Sequence, residues 1–207
     1  MRERVIETAQ QLFLQQGLRA TTMDQVAESV GIAKKTHYEH VPAKEALIEA
    51  CAETFLAQTE RQIRQLQERH QQDALLAMIA TANYTYQLLV KINPVLFAEL
   101  RRLLPAVRTQ IITRIQALIQ THLVQALQAG INQGIFRQNL SLDLIPLWWS
   151  YVVIHIILNP NFSQQAQRPI AEVYMETLLL FLYSFCTEQG RSLLETYKHH
   201  ITHAYVR

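Results

Sequence analysis

Residues 21–40 read TTMDQVAESVGIAKKTHYEH, and this stretch decides the fold of the N-terminal part of the chain. Thr22 has the side chain of a helix N-cap, and Gln25 stands where a capping box places its second residue. The apolar spacing predicts a short helix that ends at Gly31, because glycine readily adopts the positive φ of a tight turn. Another short helix follows at about 33–39, so the stretch predicts a helix-turn-helix.

A longer helix precedes this pair and completes a three-helix unit. Residues 2–16 carry apolar side chains at helical spacing, and Gly17 supplies the left-handed stop that commonly ends a helix. After Pro42 the pattern resumes as a long helix, from about residue 43 to residue 69. That helix continues past the helix-turn-helix, so we expect it to act as a lever between two parts of the protein.

The rest of the chain also has helical periodicity. Helices are predicted at 73–91, 95–103, 106–132, 142–158, 169–189 and 192–204, with proline, glycine and asparagine between them. Ser192 and Glu195 form a second capping-box pattern at the start of the last helix. The predicted fold class is therefore all-α, divided into domains at 1–45 and 46–207.

Composition narrows the class of protein without deciding its function. The 207 residues include only 5 Gly and 6 Pro, and 49% are hydrophobic, which is typical of an all-helical globular protein. The 19 Lys and Arg residues nearly balance the 17 Asp and Glu residues, which excludes a disordered or acidic-tail protein. A net charge of +2 does not indicate nucleic acid, so any DNA site depends on where the charges lie.

Cysteine usage and hydropathy predict a soluble, cytoplasmic protein. Cys51 and Cys186 lie within apolar helical patterns, which indicates buried thiols in a reducing compartment rather than a disulfide. The first residues are charged and amphipathic, without the apolar segment of a signal peptide. The longest apolar run, 147–158, is shorter than a bilayer span and contains Ser150 and His155, so we expect no membrane association.

The second helix of the helix-turn-helix and its flanks carry side chains suited to DNA. Cations and hydrogen-bond donors collect there at Thr22, Lys34, Lys35, Thr36, Tyr38, His40 and Lys44. Such groups bind phosphate oxygens and base edges. Lys44 also lies at a helix N-terminus, where free N–H groups and the helix dipole favour an anion. The alternative is a solvated helix face, since residues 1–45 contain as many acids as bases.

This part of the chain resembles the tetracycline-repressor (TetR) family over about residues 4–50. The resemblance is carried by Ile6, Ala9, Leu12, Phe13, Gly17, Thr21, Thr22, Val26, Ala27, Gly31, Ile32, Lys34, Thr36, Tyr38, His40, Lys44, Glu45 and Leu47. It implies a recognition helix at about 33–39 in the major groove. It also implies phosphate contacts by Thr36, Tyr38 and Lys44, with Lys34 and Lys35 at positions that vary with the operator.

Three residues depart from the family pattern. His37 stands where an aliphatic or aromatic residue usually packs inward, and Ala33 and Ala43 replace the usual N-caps. Losing an N-cap costs roughly 1 kcal/mol, so we expect a recognition helix that is less ordered without DNA. These departures bear on the operator sequence and leave the fold prediction unchanged.

The resemblance implies that residues 46–207 form a helical domain that dimerises and binds an effector. Helices 142–158 and 169–189 are apolar on nearly every side, so we expect each to contact its own core and a partner subunit in a homodimer. The alternative is a core formed entirely within one chain.

Polar groups on apolar helix faces are the candidates for an effector site. They are Tyr84, Thr113, His122, Trp148, Tyr151 and His155. Aromatic, mostly uncharged walls favour a small hydrophobic or aromatic effector. For each residue taken alone, the alternative is an ordinary core or interface position.

These features predict a one-component transcriptional regulator, a repressor that an effector releases from double-stranded operator DNA. The sequence has no phosphate loop, nucleophile elbow or paired acids in an apolar setting, so we predict neither catalysis nor a cofactor. His199 and His203 have the spacing of a metal pair, but a third ligand is not apparent and a solvated helix end is the favoured interpretation. The alternative function is a helical-bundle carrier or enzyme with an incidental N-terminal match.

Overall fold

The structure is a computed structural model that describes residues 1–34, 36, 39, 41–197 and 200–201. These residues are helical over most of their length and contain no β-strand, which confirms the all-α fold class. An isolated antiparallel bridge joins Phe136 to Cys186. No helix in the described part of the chain has the length and apolar character that crossing a membrane requires.

The described residues form ten named α-helices and one π-helical turn. They are α1 Arg2–Gln16, α2 Met23–Val30, α3 Lys44–Arg69, α4 Ala74–Lys91, α5 Val95–Leu103, α6 Pro105–Asn132, α7 Leu144–Tyr151, π1 Val152–Ile157, α8 Pro160–Ala166, α9 Ile170–Phe185 and α10 Glu188–Tyr197. Lys34, Thr36 and Glu39 are also helical, in the segment between α2 and α3. Up to Asn132 the predicted helices agree with the observed ones to within a residue or two, apart from the helix at about 33–39, which lies partly outside the described residues.

One compact unit consists of residues 1–59 and 91–114. Its apolar core joins α1, α2, the start of α3 and parts of α5 and α6, and its most deeply buried members are Val5, Ala9, Val26, Leu47 and Val107. This unit extends beyond the predicted boundary after residue 45 and takes in α5. The division into functional domains at that boundary stays a prediction.

A second compact unit consists of residues 60–90 and 115–207. Leu75, Leu127, Phe136, Met175 and Leu182 are fully buried in it. Aromatic rings connect α7 to α9, with the Trp149 and Phe181 centroids 4.7 Å apart in an edge-to-face arrangement. Such pairs add specificity to the apolar burial that holds the two helices together.

The two cysteines are free and buried, as predicted. Burial raises the pKa of the Cys51 thiol to about 12 and that of the Cys186 thiol to about 11. Because the thiolate is the reactive form, neither side chain is an activated nucleophile at neutral pH.

Sequence reasoning missed a short helix in the segment between the predicted helices 142–158 and 169–189, which it treated as a connection. The structure has the short helix α8 beginning at Pro160. Proline suits a first helical position because its missing N–H would have no helical partner there. The Asn159 side chain also accepts a hydrogen bond from the Asn161 N–H at 3.1 Å.

The predicted capping box at Ser192 and Glu195 is also wrong. Helix α10 begins at Glu188, and the Ser192 hydroxyl donates to the Glu188 carbonyl at 3.2 Å inside it. The cap is instead the Thr187 hydroxyl, which accepts a hydrogen bond from the Gly190 N–H at 3.0 Å. Gly190, which falls between the predicted helices 169–189 and 192–204, therefore lies inside a helix.

Gly190 is required by a close approach between two backbones. A Cβ at this position would lie 2.1 Å from the carbonyl oxygen of Ile135. That carbonyl is held in place because it accepts a hydrogen bond from the Thr187 N–H at 2.9 Å. The helix therefore packs on the 134–136 turn only when residue 190 has no side chain.

We predict that Gly190→Ala lowers the free energy of unfolding by about 1–3 kcal/mol, because the added methyl group overpacks against fixed backbone. Chemical denaturation followed by circular dichroism measures the change. Gln189→Ala is the matched control, since Gln189 is the exposed neighbour on the same helix. Equal stability of the two variants would contradict the close approach.

Candidate functional site

The turn after α2 has the left-handed geometry that the sequence predicts. Gly31 has φ 75° and ψ 39°, and its N–H donates to the Glu28 carbonyl at 3.0 Å. The Ile32 N–H donates to the Ala27 carbonyl at 3.0 Å, so the last carbonyls of α2 are satisfied. Ala27 itself is buried.

Thr22 forms the predicted N-cap of α2. Its hydroxyl oxygen accepts a hydrogen bond from the Gln25 N–H at 3.1 Å. The Gln25 side chain is not seen to accept the reciprocal capping-box bond from the Thr22 N–H among the described residues, and its amide nitrogen donates to Gln16 Oε1 at 3.1 Å. The exposed Thr22 hydroxyl keeps its own proton available for an anion at the helix N-terminus.

Glu99 holds the loop between α1 and α2, a role that sequence reasoning missed. Its carboxylate accepts hydrogen bonds from the Leu18 N–H at 2.5 Å and the Arg19 N–H at 3.2 Å. Gly17 has φ 88° but ψ 177°, so it is a positive-φ stop and not the left-handed helical one expected. A Cβ at Gly17 would lie 2.8 Å from Glu99 Oε2. Because Glu99 and Leu18 are 81 positions apart in the sequence, no pattern of neighbouring residues predicts this hydrogen bond.

The predicted DNA contacts are described only in part. Lys34 is exposed and forms an ion pair with Asp24, with Nζ and Oδ2 2.6 Å apart. An exposed pair of this kind contributes little stability, so a phosphate can compete for the ammonium group. Thr36 is half-buried and helical. Lys35, His37, Tyr38 and His40 lie outside the described residues.

Lys44 is the first residue of α3 and is half-buried. Burial lowers the pKa of its ammonium group, and the nearby Glu99 carboxylate partly offsets this effect. A phosphate at this helix N-terminus would meet both the ammonium group and free backbone N–H groups. The position therefore suits a phosphate contact better than an ordinary surface lysine does.

The structure separates the six candidate effector residues. Trp148 and Tyr151 are each 58% exposed on the outer face of α7. His155 is exposed as well, and its ring lies on that of Tyr151 with centroids 4.2 Å apart. Thr113 is exposed in the other compact unit, where its hydroxyl donates to the Thr109 carbonyl at 3.0 Å.

The two remaining candidates lie inside the second unit. Tyr84 is half-buried on α4, and His122 is 8% exposed on α6. His122 Nδ1 lies 2.8 Å from the side-chain oxygen of Gln67, a residue that sequence reasoning did not single out. Burial is the main cause that lowers the pKa of His122. Their role in effector binding stays a prediction.

No metal site is apparent in the part of the chain that the structure describes. Within it, no group of three or more His, Cys, Asp and Glu side chains lies close enough together to hold a metal ion. His199 and His203 fall outside the described residues, so the structure does not test their pairing.

Comparison with known proteins matches the helix-turn-helix to a family. Residues 5–51 match the profile described as "Bacterial regulatory proteins, tetR family". YerO, an uncharacterized HTH-type transcriptional regulator of Bacillus subtilis, is 33% identical over 67 residues, which cover 32% of this chain and 23% of YerO. The HTH-type transcriptional repressor KstR2 of Rhodococcus jostii is 23% identical over 145 residues, covering 69% of this chain and 71% of KstR2.

The likeness of fold extends well beyond the N-terminal match. The solved structure of a tetR-family regulator from Agrobacterium tumefaciens has a TM-score of 0.69 at 17% identity, covering 90% of this chain and 97% of that chain. The fold is therefore shared over most of this chain at low sequence identity.

We predict that Lys44→Ala weakens binding to every duplex tested, because a phosphate contact carries no base information. The slope of log affinity against log salt should fall by about one, as expected for one lost phosphate contact. Fluorescence titrations at several salt concentrations measure both quantities. Lys91→Ala is the control, since Lys91 is exposed at the end of α4. An unchanged salt slope for Lys44→Ala would contradict a phosphate contact by Lys44.

Proposed function

We propose that this chain, whose residues 5–51 match the tetR family of bacterial regulatory proteins, is a transcriptional repressor that a small hydrophobic or aromatic effector releases from operator DNA. The observation that carries the proposal is the helix-turn-helix. Gly31 sets its turn, Thr22 caps the helix before that turn, and Lys44 is the first residue of α3, which follows the helix-turn-helix. A repressor of this kind acts in the bacterial cytoplasm, where the chromosome lies.

DNA binding in this protein depends on individual side chains at defined positions and not on the net charge of the N-terminal residues. Residues 1–45 contain as many acidic as basic side chains, so they have no general attraction for a polyanion. Affinity must come from individual contacts, for which we propose Thr22, Lys34, Lys35, Thr36, Tyr38, His40 and Lys44. Phosphate contacts by some of these residues set the register, and base contacts by the others select the operator.

The test is retention on heparin and on random duplex DNA, followed by titration with duplexes from the region upstream of the gene. We expect binding that weakens steeply as salt rises, because each phosphate contact releases counterions. A chain that shows no retention and no salt dependence would instead be a helical carrier or an enzyme with an incidental N-terminal match.

An apolar stripe on α7 and α9 supports a homodimer as the DNA-binding species. Leu144, Leu147, Trp148 and Tyr151 follow helical spacing, and each is 58–59% exposed in the single chain. Leu180 on α9 is 71% exposed. Phe181 follows Leu180 in α9, and its ring stacks on that of Trp148 with the two ring centroids 4.5 Å apart. Two copies of this stripe would bury one another in a four-helix interface.

We predict that Leu180→Glu converts the dimer to a folded monomer. The side chain is largely exposed in one chain, so a charge is tolerated there, but in the dimer the charge would be buried and unpaired. Sedimentation velocity measures the mass and circular dichroism the helix content. Leu103→Glu on α5, at a leucine that is 39% exposed, is the matched control and should stay dimeric. A monomeric unmodified chain, or a dimeric Leu180→Glu variant, would contradict the proposed interface.

Helix α3 supports coupling between the two binding events, because it carries a proposed DNA contact and a neighbour of a candidate effector residue. Lys44 is its first residue, and Gln67 lies in its last turn beside His122. An effector that prefers a different position of this helix would shift the population away from the DNA-binding state. The coupling needed is typically about 1–3 kcal/mol.

Such coupling must be reciprocal. For any compound that releases the protein from DNA, we predict that operator DNA weakens binding of the compound by the same factor. Calorimetry of the compound with and without operator measures that factor. Equal affinity in the two titrations would exclude coupling and favour direct competition at the DNA surface.

A further inference from the structure

A buried polar atom without a partner lies in the second compact unit. The Nε2 atom of His122 is buried and has no hydrogen-bond partner among the residues that the structure describes, and His122 as a whole is only 8% exposed. Leu118 and Ala126, one turn away on either side, are also buried, so this face of α6 is turned toward the core. Buried polar groups in folded proteins are nearly always paired. The atom therefore marks a place where another molecule can complete the structure.

Gln67 fixes which ring nitrogen of His122 carries the proton. Its side-chain Nε2 donates to the His122 backbone carbonyl at 3.1 Å, and its Oε1 lies 2.8 Å from His122 Nδ1. A carbonyl only accepts, so the amide nitrogen must face it and the amide oxygen must face the ring. Because that oxygen also only accepts, the proton of the ring is on Nδ1.

The ring is neutral in this environment. Burial lowers the pKa of His122, and the nearby Arg64 acts in the same direction while Glu60 opposes it. Arg64 and Glu60 also pair with each other at 3.3 Å. A neutral imidazole has one N–H group, and in His122 it is used at Nδ1. The buried Nε2 atom therefore offers only a lone pair.

We propose that His122 Nε2 accepts a hydrogen bond from the effector, which therefore carries a hydroxyl or N–H donor and, to suit a helix face buried at Leu118 and Ala126, is mainly apolar. This inference rests on the proposed effector-responsive function. A phenol or an alcohol satisfies the lone pair. A carboxylate or an ether has lone pairs but no hydrogen to donate, so it repels the Nε2 lone pair and is excluded. Gln67 is a positioning residue, since it acts through the histidine.

The first experiment observes the ring directly in the full-length protein. Nitrogen NMR of chains labelled at histidine distinguishes the two neutral tautomers and the charged ring, and His122→Leu assigns the signal. We expect the neutral Nδ1–H tautomer at neutral pH. The other tautomer, or a charged ring, overturns the proposal without any ligand being needed.

The second experiment compares matched probes by calorimetry. Phenol, naphthol and para-hydroxybiphenyl are each tested against the methyl ether and the carboxylic acid of the same ring system. We expect at least one hydroxyl compound to bind about tenfold more tightly than its ether, as one buried hydrogen bond allows. In His122→Leu the ratio should fall to about one, because the acceptor is gone.

A charge at residue 67 should reverse the preference. In Gln67→Glu a carboxylate faces Nδ1 and stabilises the doubly protonated ring, so Nε2 becomes a donor and favours the ether or the acid. Gln65→Glu adds the same charge at an exposed position of the same helix and should leave the preference for hydroxyl compounds unchanged. This pair also keeps the proposal testable if His122→Leu does not fold.

Three results of the binding experiment also overturn the proposal: ethers that bind as tightly as the hydroxyl compounds, a preference that survives His122→Leu, or no binding by any probe. DNA titrations of the same preparations separate this failure from failure of the proposed function. If the protein binds DNA but shows no preference for hydrogen-bond donors, only the proposed effector contact at His122 is wrong. If the protein shows the donor preference but no affinity for DNA, only the proposed repressor function is wrong.

Discussion

The apolar contact among α1, α2 and the start of α3 is the constraint on which the DNA site depends. Val5, Val26 and Leu47 have no exposed surface in this core. Burying such side chains contributes about 1.5–3 kcal/mol each, more than any single polar contact on the surface of the unit. The Thr22 cap and the Gly31 turn then adjust the ends of helices whose packing is already decided. That packing therefore fixes the positions of the helices that carry the side chains proposed to contact DNA.

The loop before α2 shows how a polar group reinforces this core from a distance. Glu99 accepts hydrogen bonds from two consecutive N–H groups at Leu18 and Arg19. Hydrogen bonds to a charged acceptor are roughly twice as strong as neutral ones, and they keep the loop from exposing unpaired donors. The same carboxylate partly offsets the pKa lowering at Lys44. One acidic side chain on α5 thus acts on both ends of the proposed DNA site.

In the second unit, a single chain leaves two kinds of surface incomplete. The stripe that contains Trp148 and Leu180 leaves apolar area in water, which a second copy of the chain can remove. His122 leaves a buried acceptor unpaired, which requires a donor of matching position. The first deficit is extended and non-directional, as in a dimer interface. The second is a single directed bond, as in a ligand site. The sequence interpretation grouped residues of both kinds, because each appears as a polar or aromatic group on an apolar helix face.

What the sequence determined by itself is local. The bounds of the helices listed up to Asn132, the Thr22 cap and the turn at Gly31 each depend on residues within one or two helical turns, so spacing and residue type suffice. The errors at Pro160 and Ser192 arose because proline and serine each have two local interpretations. Proline either interrupts a helix or begins one, and serine either caps a helix or bonds back within it.

Only the tertiary structure decided the contacts between distant elements. Glu99 meets Leu18 across 81 residues, and Gln67 meets His122 across 55. Gly190 is needed because the backbone of Ile135 lies against it, not because a helix ends there. Such partners are chosen by how buried helix faces pack together. That packing is a property of the whole core, which no short stretch of sequence contains.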